Sequence, residues 1–318
     1  MPPASETTNT PEKGRSLWGD AWRRLRREPS AMICLGVIAA YVLIALGGMV
    51  YTWVAEMDNE DEILPLQQMV HYERKDQPPR LELSDAILGT DWAGKSTLYK
   101  VLLGAKTSLT VGLMANIIAV PVGLALGAIA GYYGKAIDDG IVWLYTTLSC
   151  IPGIVLLIAL KYTFQDVTVL GLDLSGIHGL YIALGVVSWI GTCRLVRAET
   201  MKIRELDYVA AARAIGTPGP VILLRHVLPN VFHIAIIRFS LGFVTAIKSE
   251  VILSYLGLGV KPGVPSWGNM IDSARMDLFM GRWWELSFAV AAIFVLVLAL
   301  SIFGDRLRDA LDPRLRNV

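Results

Sequence analysis

Apolar residues in this chain come in long runs separated by clusters of charge. Six runs are candidates for bilayer-spanning helices, which need roughly 20 mostly apolar residues: 31–54, 107–132, 141–160, 179–193, 231–256 and 286–303. The fourth is the shortest. Residues 31–55 carry no charge, a stretch longer than the ~7–15-residue apolar core of a cleaved signal. Residues 1–30 precede it, so it reads as a retained signal-anchor helix. The pattern predicts an all-α membrane protein of six transmembrane helices. A basic tail (1–30) leads into the first helix (31–55) and an external loop (56–104). A membrane core (105–304) and a second tail (305–318) follow.

Composition agrees. The 318 residues are 54% hydrophobic and only 18% charged, where a soluble domain would be near 25% charged. Cys34, Cys150 and Cys193 lie in or beside apolar runs without metal-ligand spacing, and read as small buried hydrophobes. The four histidines are scattered. No metal site and no catalytic residue is expected.

A net charge of +1 conceals an asymmetry. Basic residues crowd three places: Arg23 to Arg27 in the first tail, Arg194 to Arg225 in the loop 198–230 and its approach, and Arg306 to Arg316 in the last tail. Six spans put all three on one side, which the positive-inside rule makes cytoplasmic. The loop 56–104 opens with Glu56, Asp58, Glu60, Asp61 and Glu62 and is expected outside. Trp18, Trp22 and Leu25 sit among the N-terminal arginines at roughly helical spacing. Both an amphipathic helix on the inner leaflet and an unstructured basic tail fit that segment.

Several residues inside the spans invite functional readings. Gly123, Gly127 and Gly131 recur every four residues and let another backbone approach closely, either from a partner helix or from this same chain. Pro121 and Pro152 favour kinks. Charges in spans are costly and point to function. Arg238 lies near enough to the cytoplasmic end to snorkel. Lys248 and Glu250 point to different helix faces, and with Ser254 they are the candidates for lining or gating a pathway. No span repeats Asp, Glu or His as a proton relay would.

The segment Gly89-Thr90-Asp91-Trp92-Ala93-Gly94-Lys95-Ser96 fits the phosphate-loop pattern G-x-x-x-x-G-K-[ST]. That loop needs a buried strand before it and a helix after it. Residues 81–85 are not such a strand, and no partner carboxylate for Mg²⁺ follows in a soluble segment. The match is read as a decoy, and 98–103 as an amphipathic helix on the outer surface.

The most distinctive stretch is Asp207-Tyr208-Val209-Ala210-Ala211-Ala212-Arg213-Ala214-Ile215-Gly216, followed by Arg225-His226-Val227-Leu228-Pro229-Asn230. It is a small-residue helix ended by glycine, in a polar loop on the cytoplasmic side, and suits a surface for another protein to grip. With Leu88-Gly89-Thr90-Asp91, Gly131-Tyr132-Tyr133-Gly134, Leu253-Ser254-Tyr255-Leu256-Gly257-Leu258-Gly259, Pro265-Ser266-Trp267-Gly268 and Gly304-Asp305-Arg306-Leu307-Arg308, it supports a resemblance from about residue 88 to the C-terminus. The chain resembles the inner-membrane permease subunits of ABC importers, most closely the dipeptide/oligopeptide/nickel group. It departs from that family's "EAA" loop at Ala210, where a glutamate is usual, and at His226, where an isoleucine is usual. Asp207 and Glu205 are candidate substitutes for the missing carboxylate.

The resemblance implies the type I importer permease fold and a transport subunit with no chemistry of its own. It would form half of a pathway for peptides or related small solutes in the bacterial inner membrane, with both termini cytoplasmic. The implied partners are a second, usually unlike, permease, two cytoplasmic ATPases, an external solute-binding protein and membrane lipid, with no nucleic acid. This chain would bind no cofactor; ATP and Mg belong to the ATPases. Asp207, Tyr208, Ala210, Ala211, Ala212, Gly216, Leu228 and Pro229 would carry the coupling within 205–229. Two other readings remain. A self-contained secondary transporter would work without ATPases. A membrane-bound nucleotide-using enzyme built on 89–96 would lose ATP binding on Lys95→Ala.

Overall fold

The architecture is that of a computed structural model, which describes residues 17–58, 75–80, 87–165, 167–169, 171–261 and 263–311. The acidic run from Glu60 to Glu62, most of the loop 56–87 and both extreme tails lie outside the described residues. Helix α1 (Leu17–Arg27) is amphipathic, with Leu25 buried and Trp22 exposed, and packs on the last helix of the chain. The N-terminal arginines therefore do belong to a helix. Helix α2 (Pro29–Asp58) follows at once, opened by Pro29, whose fixed φ suits a first helical turn.

Helix α3 (Thr97–Tyr133) runs 37 residues without a break and carries Pro121 inside it. The expected separate surface helix over 98–103 does not exist as such; it is the outer end of α3. Lys100 and Lys106 interrupt the apolar pattern there, yet both are satisfied by distant partners: Lys100 by Asp91 and Glu285, Lys106 by Thr52 Oγ1 at 2.6 Å.

The third apolar run also departs from the expected single span. It forms α4 (Lys135–Ser149) and α5 (Gly153–Thr163), which meet at 89°. Pro152 stands immediately before α5 in an extended conformation. Proline pushes its predecessor away from helical geometry as well, so the chain turns a corner there rather than kinking. A two-stranded antiparallel hairpin, β1 (Thr168–Val169) and β2 (Leu172–Asp173), leads on to α6 (Ile177–Arg204). At this hairpin Asp173 accepts from Ser175 and Lys261, and those bonds hold its carboxyl well below the usual range.

Next come α7 (Asp207–Ala214), α8 (Gly219–Ile222), a wide π turn (Leu223–Val227) and α9 (Leu228–Tyr255). Together α8, the π turn and α9 make one 37-residue segment, Gly219–Tyr255. The loop therefore ends at Gly219, and Leu228 and Pro229 lie inside a helix. The π turn explains how. Pro229 has no N–H to give and its ring would clash in a regular turn. The N–H of Leu228 instead bonds back to Leu223 O, five residues away, which widens the turn to fit the ring. Helices α10 (Trp267–Phe279) and α11 (Trp284–Leu311) complete the chain.

Among the described residues, five helices are long and apolar enough to span a membrane, and the bent α4–α5 pair, taken as one span, makes a sixth. Helices α3 and α6 form the most extensive packing pair, and the glycine stripe is the reason. A Cβ on Gly123 would stand 2.6 Å from Trp189 O, on Gly127 2.6 Å from Cys193 O, and on Gly131 2.7 Å from Arg197 O. The stripe thus brings two helices of this same chain backbone to backbone.

Candidate functional site

The cytoplasmic end is built around α7. Leu206 is extended before it, and Gly216 after it has φ +82°. The N–H of Thr217 bonds to Ala212 O (3.1 Å) and that of Gly216 to Arg213 O (3.0 Å), the paired bonds of a glycine-terminated helix. One face of α7 is welded to the chain's interior: Val209 and Ala212 are buried with Tyr132, Val196, Ile203, Ile222 and Val227. Ala212 therefore serves the chain's own core. Tyr208, Ala210, Ala211 and Gly216 remain exposed, as does Asp207.

Two polar ties hold α7 directly, Arg213 on Tyr132 and Asn230 on Tyr208, and two more brace α6 beside it. Arg197 grips Asp138 of α4 with two bonds of 2.5 and 2.6 Å. Arg204 at the end of α6 donates to Gly131 O of α3 at 3.1 Å, and the Arg213 guanidinium lies 5.3 Å from the centre of the Tyr132 ring. Asn230 near the start of α9 donates to Tyr208 Oη at 3.1 Å and to His226 O at 2.6 Å. Partial burial raises the Tyr208 phenol above its ordinary value, so it stays protonated. Glu205 is paired with Arg204 at 2.9 Å, whereas Asp207 has no ion pair among the described residues. Of the two candidate substitutes for the absent glutamate, Asp207 is the one free to meet another protein.

The outer surface of this region also displays apolar residues that motif reading overlooked. Ile215 is 83% exposed and Leu224 64%, with Leu206 and Val221 close in sequence and also exposed. Exposed apolar residues among charges make this region a candidate interaction surface. Its signal in the sequence is an excess of apolar residues over what the buried face of one short helix can absorb.

At the opposite end, distant motifs converge. Trp284 donates to Thr90 O at 2.9 Å, Trp267 donates to Val101 O at 2.9 Å, and Thr107 donates to Pro265 O at 2.6 Å. Lys100 is held between Asp91 and Glu285, and Ser273 also donates to Glu285. The phosphate-loop look-alike is closed on itself. The backbone N–H groups of Ala93 and Lys95 both point at Asp91 Oδ1, at 2.9 and 2.7 Å, and that of Gly94 at Asp91 O. The donors that would cradle a phosphate already hold a carboxylate of the chain.

The three pathway candidates separate. Glu250 is wholly buried and accepts from Ser108 at 3.2 Å and from Ser254 at 2.9 Å. Glu250 and Ser254 thus form one polar cluster in which Glu250 is enclosed, while Ser254 also borders a cavity shared with Asp91, Lys100 and Ser273. Lys248, two residues away, is exposed on another face of α9. Arg238 is half-buried over Gly191, with only a long contact of 3.5 Å to Thr192 Oγ1.

Comparison with known proteins shows the family and the fold. Residues 123–317 match the family model described as the binding-protein-dependent transport system inner membrane component. Residues 16–79 match the one described as the N-terminal TM domain of oligopeptide transport permease C. The glutathione transport system permease protein GsiD of Shigella dysenteriae serotype 1 (strain Sd197) is 35% identical over 306 residues, covering 96% of this chain and 93% of its own. The protein of the same name from Escherichia coli O157:H7 gives the same figures. Among solved structures, the inward-facing MetNI methionine ABC transporter (CY5 native crystal form) superposes with a TM-score of 0.54 at 16% identity, over 68% of this chain and 97% of that one. That likeness establishes a shared fold.

Proposed function

The chain belongs to the family of binding-protein-dependent transport system inner membrane components, and on that footing we propose that it forms one half of a two-permease pathway for short peptides, driven through α7. It is a permease subunit of an ATP-driven ABC importer, a multi-pass protein of the bacterial inner membrane, and its family works with ATPase and solute-binding partners. The peptide class is taken from the relatives named for glutathione and for oligopeptide transport. The second permease is an unlike chain, and two ATPases carry ATP and Mg²⁺, leaving this chain without catalytic residues. Both termini face the cytoplasm, a reading supported by the clusters of arginine.

One observation carries the coupling role: the exposed face of α7, crowned by Ile215, on a helix packed against α3, α6 and α8 and tied to α9. Asp207, Tyr208, Ala210, Ala211 and Ile215 form the face that enters a cleft on the ATPase. Ala212, Gly216, Leu228 and Pro229 hold that face in place. Movement of the ATPase pulls on α7, and α7 passes the pull to the helices it is fixed to, a rigid-body switch between inward-open and outward-open states.

Mild extraction of a C-terminally tagged chain tests this reading. The wild type is expected to bring down a second permease and ATPase subunits. Ile215→Asp should keep the permease and lose the ATPases. Recovery of the chain alone, active in vesicles without ATP, would overturn the assignment. Full ATPase recovery by the Ile215 variant would overturn the docking face.

A further inference from the structure

The uncovered stripes of the long helices are not alike. Those of α2 and α11 are apolar, as at Leu43 and Val50 or at Phe294 and Leu298, and suit lipid or a partner helix. The stripe of α9 is mixed. Thr245, Lys248, Ile252 and Tyr255 are exposed there, and spacings of three, four and seven residues put them side by side. Arg275 of α10 continues the stripe outward, its guanidinium 5.2 Å from the centre of the Tyr255 ring and partly offset by Asp272 at 3.6 Å.

A lysine on a lipid-facing stripe is costly, and Lys248 stands about 10 Å below Tyr255 by helix rise, deep enough that water or a charged partner must reach it. Neither it nor Arg238, about 2.8 turns nearer the cytoplasm on α9, has an acidic partner among the described residues. The single acid of α9, Glu250, is turned away and satisfied by serines inside the chain. The charge left on the open side of this helix is therefore positive.

We propose that the α9 stripe carrying Lys248 is a water-lined wall of the solute pathway, and that its unpaired cation makes the pathway favour solutes with a free carboxylate. This rests on the permease reading above and adds the solute's charge class to it. Lys248 meets the carboxylate in mid-membrane, Arg238 attracts it further in, and Glu250 is kept out of the way so that it neither repels the solute nor neutralises the lysine.

The test uses the assembled importer in a Cys150→Ser background, since Cys150 is the exposed cysteine and Cys34 and Cys193 are buried. Thr245→Cys, one turn from Lys248, is treated with sulfonatoethyl or trimethylammonioethyl methanethiosulfonate, and each rate is normalised to that of a free thiol in solution. The anionic reagent should be favoured by about tenfold or more, given opposite signs of interaction with a charge one helical turn away. Lys248→Gln should bring the ratio close to one, and Lys248→Arg should keep it. Absence of reaction with either reagent, or a ratio indifferent to Lys248→Gln, overturns the proposal. In parallel, uptake of dialanine and trialanine is compared with that of their C-terminal amides, using the same binding protein throughout. Lys248→Gln should lower the acid-to-amide ratio about tenfold, and an unchanged ratio overturns the proposal. Failure of the wild type to take up either form counts against the peptide reading instead, while the thiol rates still decide the charge of the wall.

Discussion

Replacing Gly216 by valine probes the end of α7 and little else. No atom lies within 4 Å of where a Cβ would stand, so the substitution meets no steric neighbour. Its cost is conformational. With φ at +82°, an L-residue there is disfavoured by roughly 1–2 kcal/mol, and β-branching adds to this. The chain can relieve that strain only by giving up the two bonds from Gly216 and Thr217 that close the helix. A cost of ~1–2 kcal/mol changes the ratio of closed to opened ends roughly 5–30-fold. If the ATPase grips only the closed form, its affinity falls by up to that factor. Gly216→Asn is the internal control, because asparagine tolerates this conformation. The assay is ATPase titration onto the purified permease pair, with ATP-driven uptake in vesicles and membrane insertion measured alongside. Valine should weaken docking and uptake while insertion holds, and asparagine should stay near wild type. Normal uptake by the valine variant, or an asparagine variant worse than valine, would refute the reasoning.

Lys100→Met should lower stability in detergent by about 3–5 kcal/mol, since it strands Asp91 and Glu285 as buried carboxylates without their cation; a thermal unfolding midpoint equal to wild type would contradict this. Gly127→Ala should destabilise by roughly 1–3 kcal/mol, because the new methyl meets Cys193 O at 2.6 Å and Val196 Cβ at 2.9 Å. Gly140→Ala, which meets nothing within 4 Å, should be neutral or slightly stabilising, and equal midpoints for the two variants would remove the close α3–α6 contact as their explanation. Lys95→Ala should leave nucleotide binding by the assembled importer unchanged, as measured with a fluorescent ATP analogue, because the loop's donors are already engaged by Asp91.

Much of this architecture can be read from local pattern. Hydropathy alone locates the spanning segments, because a bilayer demands long apolar runs wherever they occur in the fold. The small-residue run ending at Gly216 likewise marks α7, since a helix stop is written in two or three adjacent residues. What local pattern misses is satisfied from far away. Lys100 looks like an interruption of α3 until Glu285, from the other end of the chain, is seen beside it. Pro229 looks like the end of a loop because the wide turn that accommodates it depends on a bond reaching back to Leu223. The enclosure of Glu250 is equally hidden, because nothing near it in sequence reveals that Ser108 of α3 closes over it. Ala212 and its neighbours Ala210 and Ala211 are the same residue type, and only packing against Val196 and Ile222 distinguishes inner from outer.

The contact of carbonyl on glycine along α3 and α6 leaves no room for sliding. A shift of either helix by a fraction of a turn would drive a peptide oxygen into the neighbouring backbone. Those two helices, with α7 clamped at their inner end, must travel as one stiff girder. Flexure during a transport cycle is then left to the joints outside it. The right-angled corner at Cys150–Pro152 and the widened turn before Pro229 are two places where the chain departs from regular α-helical bonding. They are the natural hinges of the machine. Stiffening either one, without touching solute or ATPase contacts, should slow the stroke while leaving both binding events intact.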